Sequence, residues 1–246
     1  MKLLFSLCFV LLCLTGIPIP GAAQMTTKDK TEIENIVRQF ILEHPEIITE
    51  ALEILQNQER LALEKSQQEA LQRSNDQLYE NPMTPEYGNP QGDVVVVEFF
   101  DYQCGYCKRV FPDFMEVVNA DKKLRVIWKE LPILGPISRF AARAAMASAE
   151  QGKYFDYHVA LLGLRGRLTE KRVMDTAKKV GIDMNRLIKD MGSPKTNQYL
   201  DETLELAKNL GINGTPAFLI GNQLVPGAIS ANKMREIIAQ ARRNKG

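Results

Sequence analysis

Residues 94–107 read Val-Val-Val-Val-Glu-Phe-Phe-Asp-Tyr-Gln-Cys-Gly-Tyr-Cys. The run from Val94 to Phe100 is β-branched and aromatic, broken only by Glu98. Such a run predicts a strand buried on both faces, as at the centre of a mixed sheet. The Cys104-x-x-Cys107 pair follows at once, and a helix is predicted from about Cys104 to Asn119. This places the first cysteine at a helix N-terminus, where unpaired backbone N–H groups favour negative charge. Cysteine pKa values in such motifs fall from about 8.5 to roughly 3.5–7.5. Cys104 is therefore the expected nucleophile. Cys107, one turn later, is expected to face inward and close a ring with it. Thiolate attack on a disulfide, then resolution of the mixed disulfide by the second thiol, needs neither an organic cofactor nor a metal.

The rest of the composition narrows the setting. The chain has 246 residues, 45% apolar and 25% charged, with a formal net charge of +1. Those values exclude a disordered polymer and a multi-pass membrane protein, and the charge gives no footprint for nucleic acid. Four cysteines are present, two of them, Cys8 and Cys13, within residues 1–23. That segment has Lys2, an apolar run from Leu3 to Leu14, and then Gly21-Ala22-Ala23. It reads as a secretory signal peptide cleaved near Ala23. An uncleaved anchor fits less well, because the apolar run falls short of a span of about 20 residues. A lipoprotein is a lesser alternative, because Cys13 follows Leu11-Leu12.

Export to an oxidising compartment leaves Cys104 and Cys107 as a redox pair or half a metal site. A closed zinc site needs four ligands. The only histidines, His44 and His158, show no ligand spacing to the pair. A bare structural disulfide would close too short a loop to add much stability. Two other classes remain: a chaperone that holds unfolded chains, and a copper handler that uses the two sulfurs as soft ligands.

Residues 24–81 form a separate region, with twelve acidic and six basic residues and no glycine. Apolar residues at helical spacing predict helices at about 31–43 and 46–75, with Pro45 at the start of the second. The apolar patches at 33–41 and 47–55 require a covering surface, so this region is read as a helical oligomerisation arm, with a solvated linker helix as the plainer alternative. The proline- and glycine-bearing stretch 82–92 reads as a linker. Beyond it, Leu124–Leu131 is a predicted strand, and 136–195 reads as helices. Gln198–Leu210 is a further helix. Strands at Ala217–Ile220 and Gln223–Val225 flank a Gly221-Asn222 turn, and 231–243 closes the chain as a helix. The fold class is α/β, a sheet with a helical block inserted in its middle.

At Val97–Cys107 the sequence resembles the thioredoxin superfamily, and within it the DsbA-like exported thiol–disulfide oxidoreductases. Pro112 and the segment Asn213-Gly214-Thr215-Pro216-Ala217 match that pattern. The resemblance extends over most of 92–246 and implies a thioredoxin-like fold. It also implies that Thr215–Pro216 is cis, faces the cysteines and holds an extended substrate segment. Glu98 takes the position of an acid that moves protons to and from the buried thiol; a salt bridge to Lys129 is the structural alternative. Gly105-Tyr106, Thr215 and Leu224–Gly227 resemble the disulfide isomerase DsbC more than the oxidant DsbA. The helical extension resembles those of the outer-membrane-antigen branch and of the ScsC group, which self-associate. The resemblance thus implies a periplasmic isomerase or reductase, with outer-membrane association as a variant and a disulfide-donating oxidase as the runner-up. It implies exported protein substrates, a DsbD-like reductant or DsbB-like oxidant in the membrane, and a homodimer or homotrimer.

Overall fold

The computed structural model describes residues 25–244. The expected signal peptide lies outside the described residues. The chain divides into two compact units, one ending at Arg60 and one beginning at Leu61.

The first unit is helical. Helix α1 (Thr27–Glu43) opens with a capping box, in which the Thr26 hydroxyl accepts from the Asp29 N–H and the Asp29 carboxylate accepts from the Thr26 N–H. Pairing these orphan donors fixes the start of the helix. The helix buries none of its residues, and Ile36 and Phe40 are 61% and 51% exposed. Helix α2 (Glu46–Arg73) begins after Pro45 and carries exposed Ile48, Leu52 and Leu55 in its first turns. No helix among the described residues is long and apolar enough to cross a membrane.

In the second unit, α2 ends at Arg73 and the short helix α3 (Asn75–Tyr79) follows after Ser74. Ala70 and Leu78 are buried there. The sheet contains β1 (Glu86–Gly88), β2 (Val94–Phe100), β3 (Leu124–Glu130), β4 (Ala217–Ile220) and β5 (Gln223–Pro226), in the order β1-β3-β2-β4-β5. Strands β2 and β3 run parallel, and every other pairing is antiparallel. Between β2 and β3 lies α4 (Gly105–Ala120), which contains Pro112. The inserted helices are α5 (Pro136–Ala149), α6 (Tyr154–Gly163), α7 (Glu170–Lys179) and α8 (Met184–Met191), followed by α9 (Pro194–Asn209). Helix α10 (Ala231–Arg243) packs on α4. This is a mixed sheet of thioredoxin type with a helical insertion.

Strand β2 is central, and its alternation sorts two cores. Val94, Val96 and Phe100 join one core with α4, α10 and the inserted helices. Val97 and Phe99 join the other with Leu78, Leu206 and Leu210. Glu98 therefore faces the α4 side, level with Trp128 of β3 and Phe218 of β4.

Strand β1 was not expected within the 82–92 linker. It is three residues long, too short for a periodic pattern. Its place is set by tertiary contacts: Glu86 pairs with Arg125, and Tyr87 stacks on Phe155 with ring centroids 4.5 Å apart. Gly88 ends it with φ +84°, and a Cβ there would sit 2.6 Å from the Leu124 carbonyl oxygen. Only glycine meets both conditions. Leu78, fully buried against β2 and β3 residues, is the test of whether the stretch before β1 belongs to the core. Leu78→Ala is expected to lower stability by about 2–5 kcal/mol, read as a shift in the denaturation midpoint.

Candidate active site

Cys104 is the N-cap residue of α4, and its sulfur accepts the Cys107 N–H at 3.3 Å. A sulfur thus occupies the place that a serine or aspartate oxygen takes at other helix starts. When protonated, the Cys104 thiol also donates to the Thr215 carbonyl, 3.1 Å away. The Thr215–Pro216 peptide is cis. The loop before β4 and the turn before α4 therefore meet at this sulfur, across 111 residues of sequence. Both cysteines are unbridged thiols; Cys104 is 5% exposed and Cys107 fully buried.

The two sulfurs have opposite electrostatics. Hydrogen bonding from the Cys107 thiol, helped by the Thr215 side chain and by the N–H groups of Cys107 and Tyr106, brings the Cys104 pKa down to about 5 against the effect of burial. Burial pushes the Cys107 thiol far up, and its bond to Cys104 and the nearby Glu98 charge push it further. Cys104 is thus a thiolate at neutral pH while Cys107 keeps its proton.

Glu98 is completely buried, and neither carboxylate oxygen has a hydrogen-bond partner among the described residues. Burial raises its pKa to about 8; the Trp128 indole opposes this and the Cys104 charge adds to it. The sheet register removes the alternative salt bridge. Glu98 lies level with Trp128, and Lys129, next along β3, lies level with Phe99. The Lys129 ammonium turns to the other core and donates to the Gln77 carbonyl and the Thr84 hydroxyl. A side-chain period of two makes neighbouring residues face apart, so the pair cannot form.

Several residues around the site were not singled out from the sequence. Asp101 accepts from the Gln103 N–H at 2.7 Å and the Leu134 N–H at 3.0 Å, tying the turn before Cys104 to the entry of α5. Tyr102 and Tyr154 both donate to Glu130, at 2.9 and 2.8 Å. The Tyr102 oxygen also lies 2.9 Å from Nδ1 of His158. One hydroxyl proton cannot serve both neighbours. Tyr102 keeps its donation to Glu130 when His158 carries its proton on Nδ1 and donates to Tyr102; Nε2 of His158 has no partner among the described residues. Burial holds His158 at about 3, so the ring is neutral, and holds Glu130 well above the usual carboxylate range. The sequence signal for this network was the pair of polar residues, Tyr102 and Glu130, at the ends of two apolar strands. Lys108 donates to the Leu164 carbonyl at 3.0 Å, and Arg109 lies over the Tyr106 ring. Among the described residues, no group of three or more His, Cys, Asp or Glu side chains is placed to hold a metal.

A helix-capping thiolate, a buried partner thiol and a cis-proline loop on this sheet define a dithiol protein of thioredoxin type. Residues 95–239 match the DsbA-like thioredoxin domain, and the chain belongs to that family. Residues 29–70 match the N-terminal domain of the copper resistance protein ScsC. A thioredoxin-like oxidoreductase from Silicibacter pomeroyi is 43% identical, with 68% of this chain and 97% of that one covered at a TM-score of 0.67. A linker-deletion mutant of Proteus mirabilis ScsC is 26% identical, with 91% and 99% covered at a TM-score of 0.69. The thiol:disulfide interchange protein DsbA of Bordetella pertussis is 27% identical over 177 residues, 66% of this chain and 79% of that protein. Other curated relatives are far longer: the Na(+)/H(+) antiporter NhaA 1 of Salinispora arenicola is 25% identical over 156 residues, 63% of this chain and 24% of the antiporter.

Two pH effects follow for the dithiol form. The Cys104 pKa is depressed by folding, so its contribution to stability is full above the unfolded value of 9.0 and is lost as pH falls through about 5. The Glu98 pKa is raised, so its contribution is full below 4.5 and is lost as pH rises through about 8. Between pH 5 and 8 the two slopes oppose. Glu98→Gln is expected to steepen the rise of stability with pH across that window, measured by urea unfolding of the reduced protein. Thiolate absorbance at Cys104 should titrate with a midpoint of about 5 in the parent chain.

Proposed function

We propose that the chain is an exported protein thiol–disulfide oxidoreductase that shuffles or reduces wrong disulfides in other exported proteins. The observation that carries the exchange chemistry is the asymmetry of the sulfur pair: Cys104 is brought down to about 5, while burial holds the Cys107 proton in place near a carboxyl at about 8. Cys104 attacks the client disulfide; a Cys104–client bond forms and the second client sulfur leaves as a thiolate. Cys107 then attacks the mixed disulfide once its proton is removed. Glu98, fully buried and without a hydrogen-bond partner among the described residues, is the base that the site offers through its ionised fraction, and loss of the Cys104 charge in the mixed disulfide favours that form. Thr215 and Pro216 lie where a client backbone would pass.

The setting proposed with this activity is the periplasm, reached through a signal peptide at residues 1–23. A DsbD-like membrane reductant would keep the pair reduced. Residues 24–81 would serve as the oligomerisation region and 82–246 as the catalytic domain. Support for self-association is the uncovered apolar face of α1 and early α2, where Ile36, Phe40, Leu52 and Leu55 are at least half exposed. Light scattering is expected to give a dimer or trimer, and Ile36→Asp with Phe40→Asp to give a monomer; a monomeric parent chain would refute the arm.

One observation favours a second reading. A strongly stabilised thiolate stabilises the reduced form, and so makes the disulfide form a better oxidant. On that ground the same site would donate disulfides and depend on a DsbB-like oxidant. The deciding experiment sets recovery of scrambled ribonuclease by the reduced chain beside oxidation of reduced ribonuclease by its disulfide form. Recovery of the scrambled enzyme, lost in Cys104→Ser, supports shuffling. Oxidation without recovery supports the donor. Glu98→Gln should slow release of the Cys104 mixed disulfide by about a hundredfold near neutral pH, the low end of general acid–base effects, while the first attack is unchanged.

A further inference from the structure

The first turn of α4 and the loop between α6 and α7 meet near the reactive sulfur, and both carry positive charge. Lys108 lies one turn after Cys104, and its ammonium donates to the Leu164 carbonyl at 3.0 Å. Leu164 is the C-cap of α6, so this cation stands at a helix end that favours it. Arg172, in the first turn of α7, donates to the Arg167 and Arg165 carbonyls, both at 2.6 Å. Gly166 turns the chain between them with φ +75°. Lys108 and Arg172 thus pin the backbone of loop 164–168 through its carbonyls.

The side chains that this loop displays are left without partners. Arg165 and Arg167 are exposed, and neither guanidinium has a hydrogen bond or an ion pair among the described residues. Arg109 is exposed on α4, its guanidinium carbon 4.2 Å from the centre of the Tyr106 ring. None of Lys108, Arg109, Arg165, Arg167 and Arg172 has a carboxylate within salt-bridge distance among the described residues. Nearby carboxylates are used elsewhere: Asp175 by Lys171 at 2.6 Å, Glu116 by Arg235 at 3.2 Å, and Asp101 by the N–H groups of Gln103 and Leu134. Asp113 and Glu170 are exposed and pair with none of the five.

The cations also crowd one another. Burial brings the Lys108 pKa down, and the Arg172 and Arg165 charges push it further, while the Asp101 and Cys104 charges oppose. Like charges held together without a carboxylate are unfavourable, so stability alone does not select this cluster. The Cys104 charge acts on the Lys108 ammonium. The cluster therefore lies within electrostatic reach of whatever is joined to that sulfur.

We propose that this cationic rim selects clients whose disulfide is flanked by carboxylates, and that Arg165 and Arg167 meet an acidic segment of the client beside the cysteine that joins Cys104. The pinned backbone fixes where the two arginine side chains start, and each ends in a planar fork that fits a carboxylate. A preformed positive surface also speeds encounter with an anionic segment. This rests on the exchange reading of the Cys104–Cys107 pair.

The test uses the full reduced chain and cysteine peptides joined by a disulfide to thionitrobenzoate. The peptides are matched in length and carry paired glutamates, glutamines or lysines beside the cysteine. Cys104 attacks the peptide sulfur, the Cys104–peptide disulfide forms, and thionitrobenzoate leaves as a coloured thiolate. At low salt the glutamate peptide is expected to react about fivefold faster than the glutamine peptide, as for a pair of exposed ion pairs. The lysine peptide should be the slowest. The differences should vanish near about 1 M salt, where charges are screened within about 3 Å. Arg165→Glu with Arg167→Glu should invert the order, making the lysine peptide the fastest. Lys122→Glu with Lys123→Glu, an equal charge change at exposed residues beyond the far end of α4, should keep the parent order. Equal rates for the glutamate and glutamine peptides, or the same inversion in the Lys122 and Lys123 variant, overturn the rim while leaving exchange intact. So does a smaller oligomer by light scattering in the Arg165 and Arg167 variant with the peptide order unchanged, which assigns the rim to the acidic arm of a second copy. If Cys104 attacks none of these disulfides, the exchange reading fails, and the rim fails with it.

Discussion

The hydrogen bond from the Cys107 N–H to the Cys104 sulfur organises the site. A helix start leaves several N–H groups without partners, and here a sulfur takes one of them. The helix is capped only while that sulfur sits at the N-cap position, and the sulfur carries charge comfortably only while the helix is there. Structure and reactivity are therefore one constraint. It explains why α4 follows so tightly on β2: the strand fixes Phe100, the Asp101 carboxylate pins the turn through Gln103 and Leu134, and Cys104 falls at the cap. The Thr215 carbonyl, 3.1 Å from the same sulfur, brings in the loop that enters β4, the strand beside β2.

Below that cap the sheet holds a group that stability alone would not select. A buried carboxyl with no partner is unfavourable by several kcal/mol if charged, and Glu98 avoids this by keeping its proton to about pH 8. Its neighbours on the same face, Trp128 and Phe218, supply no cation. The one lysine that could have neutralised it turns to the opposite core. The result is two titrating groups whose environments push them apart, Cys104 downward and Glu98 upward, with Cys107 feeling both. Such separation is how a site assigns acid and base roles at one pH.

Much of this was legible in the sequence, because the signals were local. The β-branched run at Val94–Val97, the cysteine spacing and the Gly221-Asn222 turn each act within a few residues, and the strands and helices around them fall where those signals place them. The features that were not legible depend on distant partners. Strand β1 exists because Arg125 and Phe155 receive Glu86 and Tyr87. The side to which Lys129 turns follows from the parallel register of β2 and β3, which no single-strand pattern encodes. The Tyr102–Glu130–Tyr154–His158 network joins four elements, and only the fold brings them together.

Helix α2 shows why a segment with little to bury near its start is still helical. Residues 46–73 contain no glycine and no proline, and glutamate, glutamine, leucine, lysine, alanine and arginine supply most positions. These are residues that lose little on entering a helix. Intrinsic preference thus carries the exposed stretch, where packing contributes nothing within the unit, until Ala70 and Leu71 reach the sheet-side core.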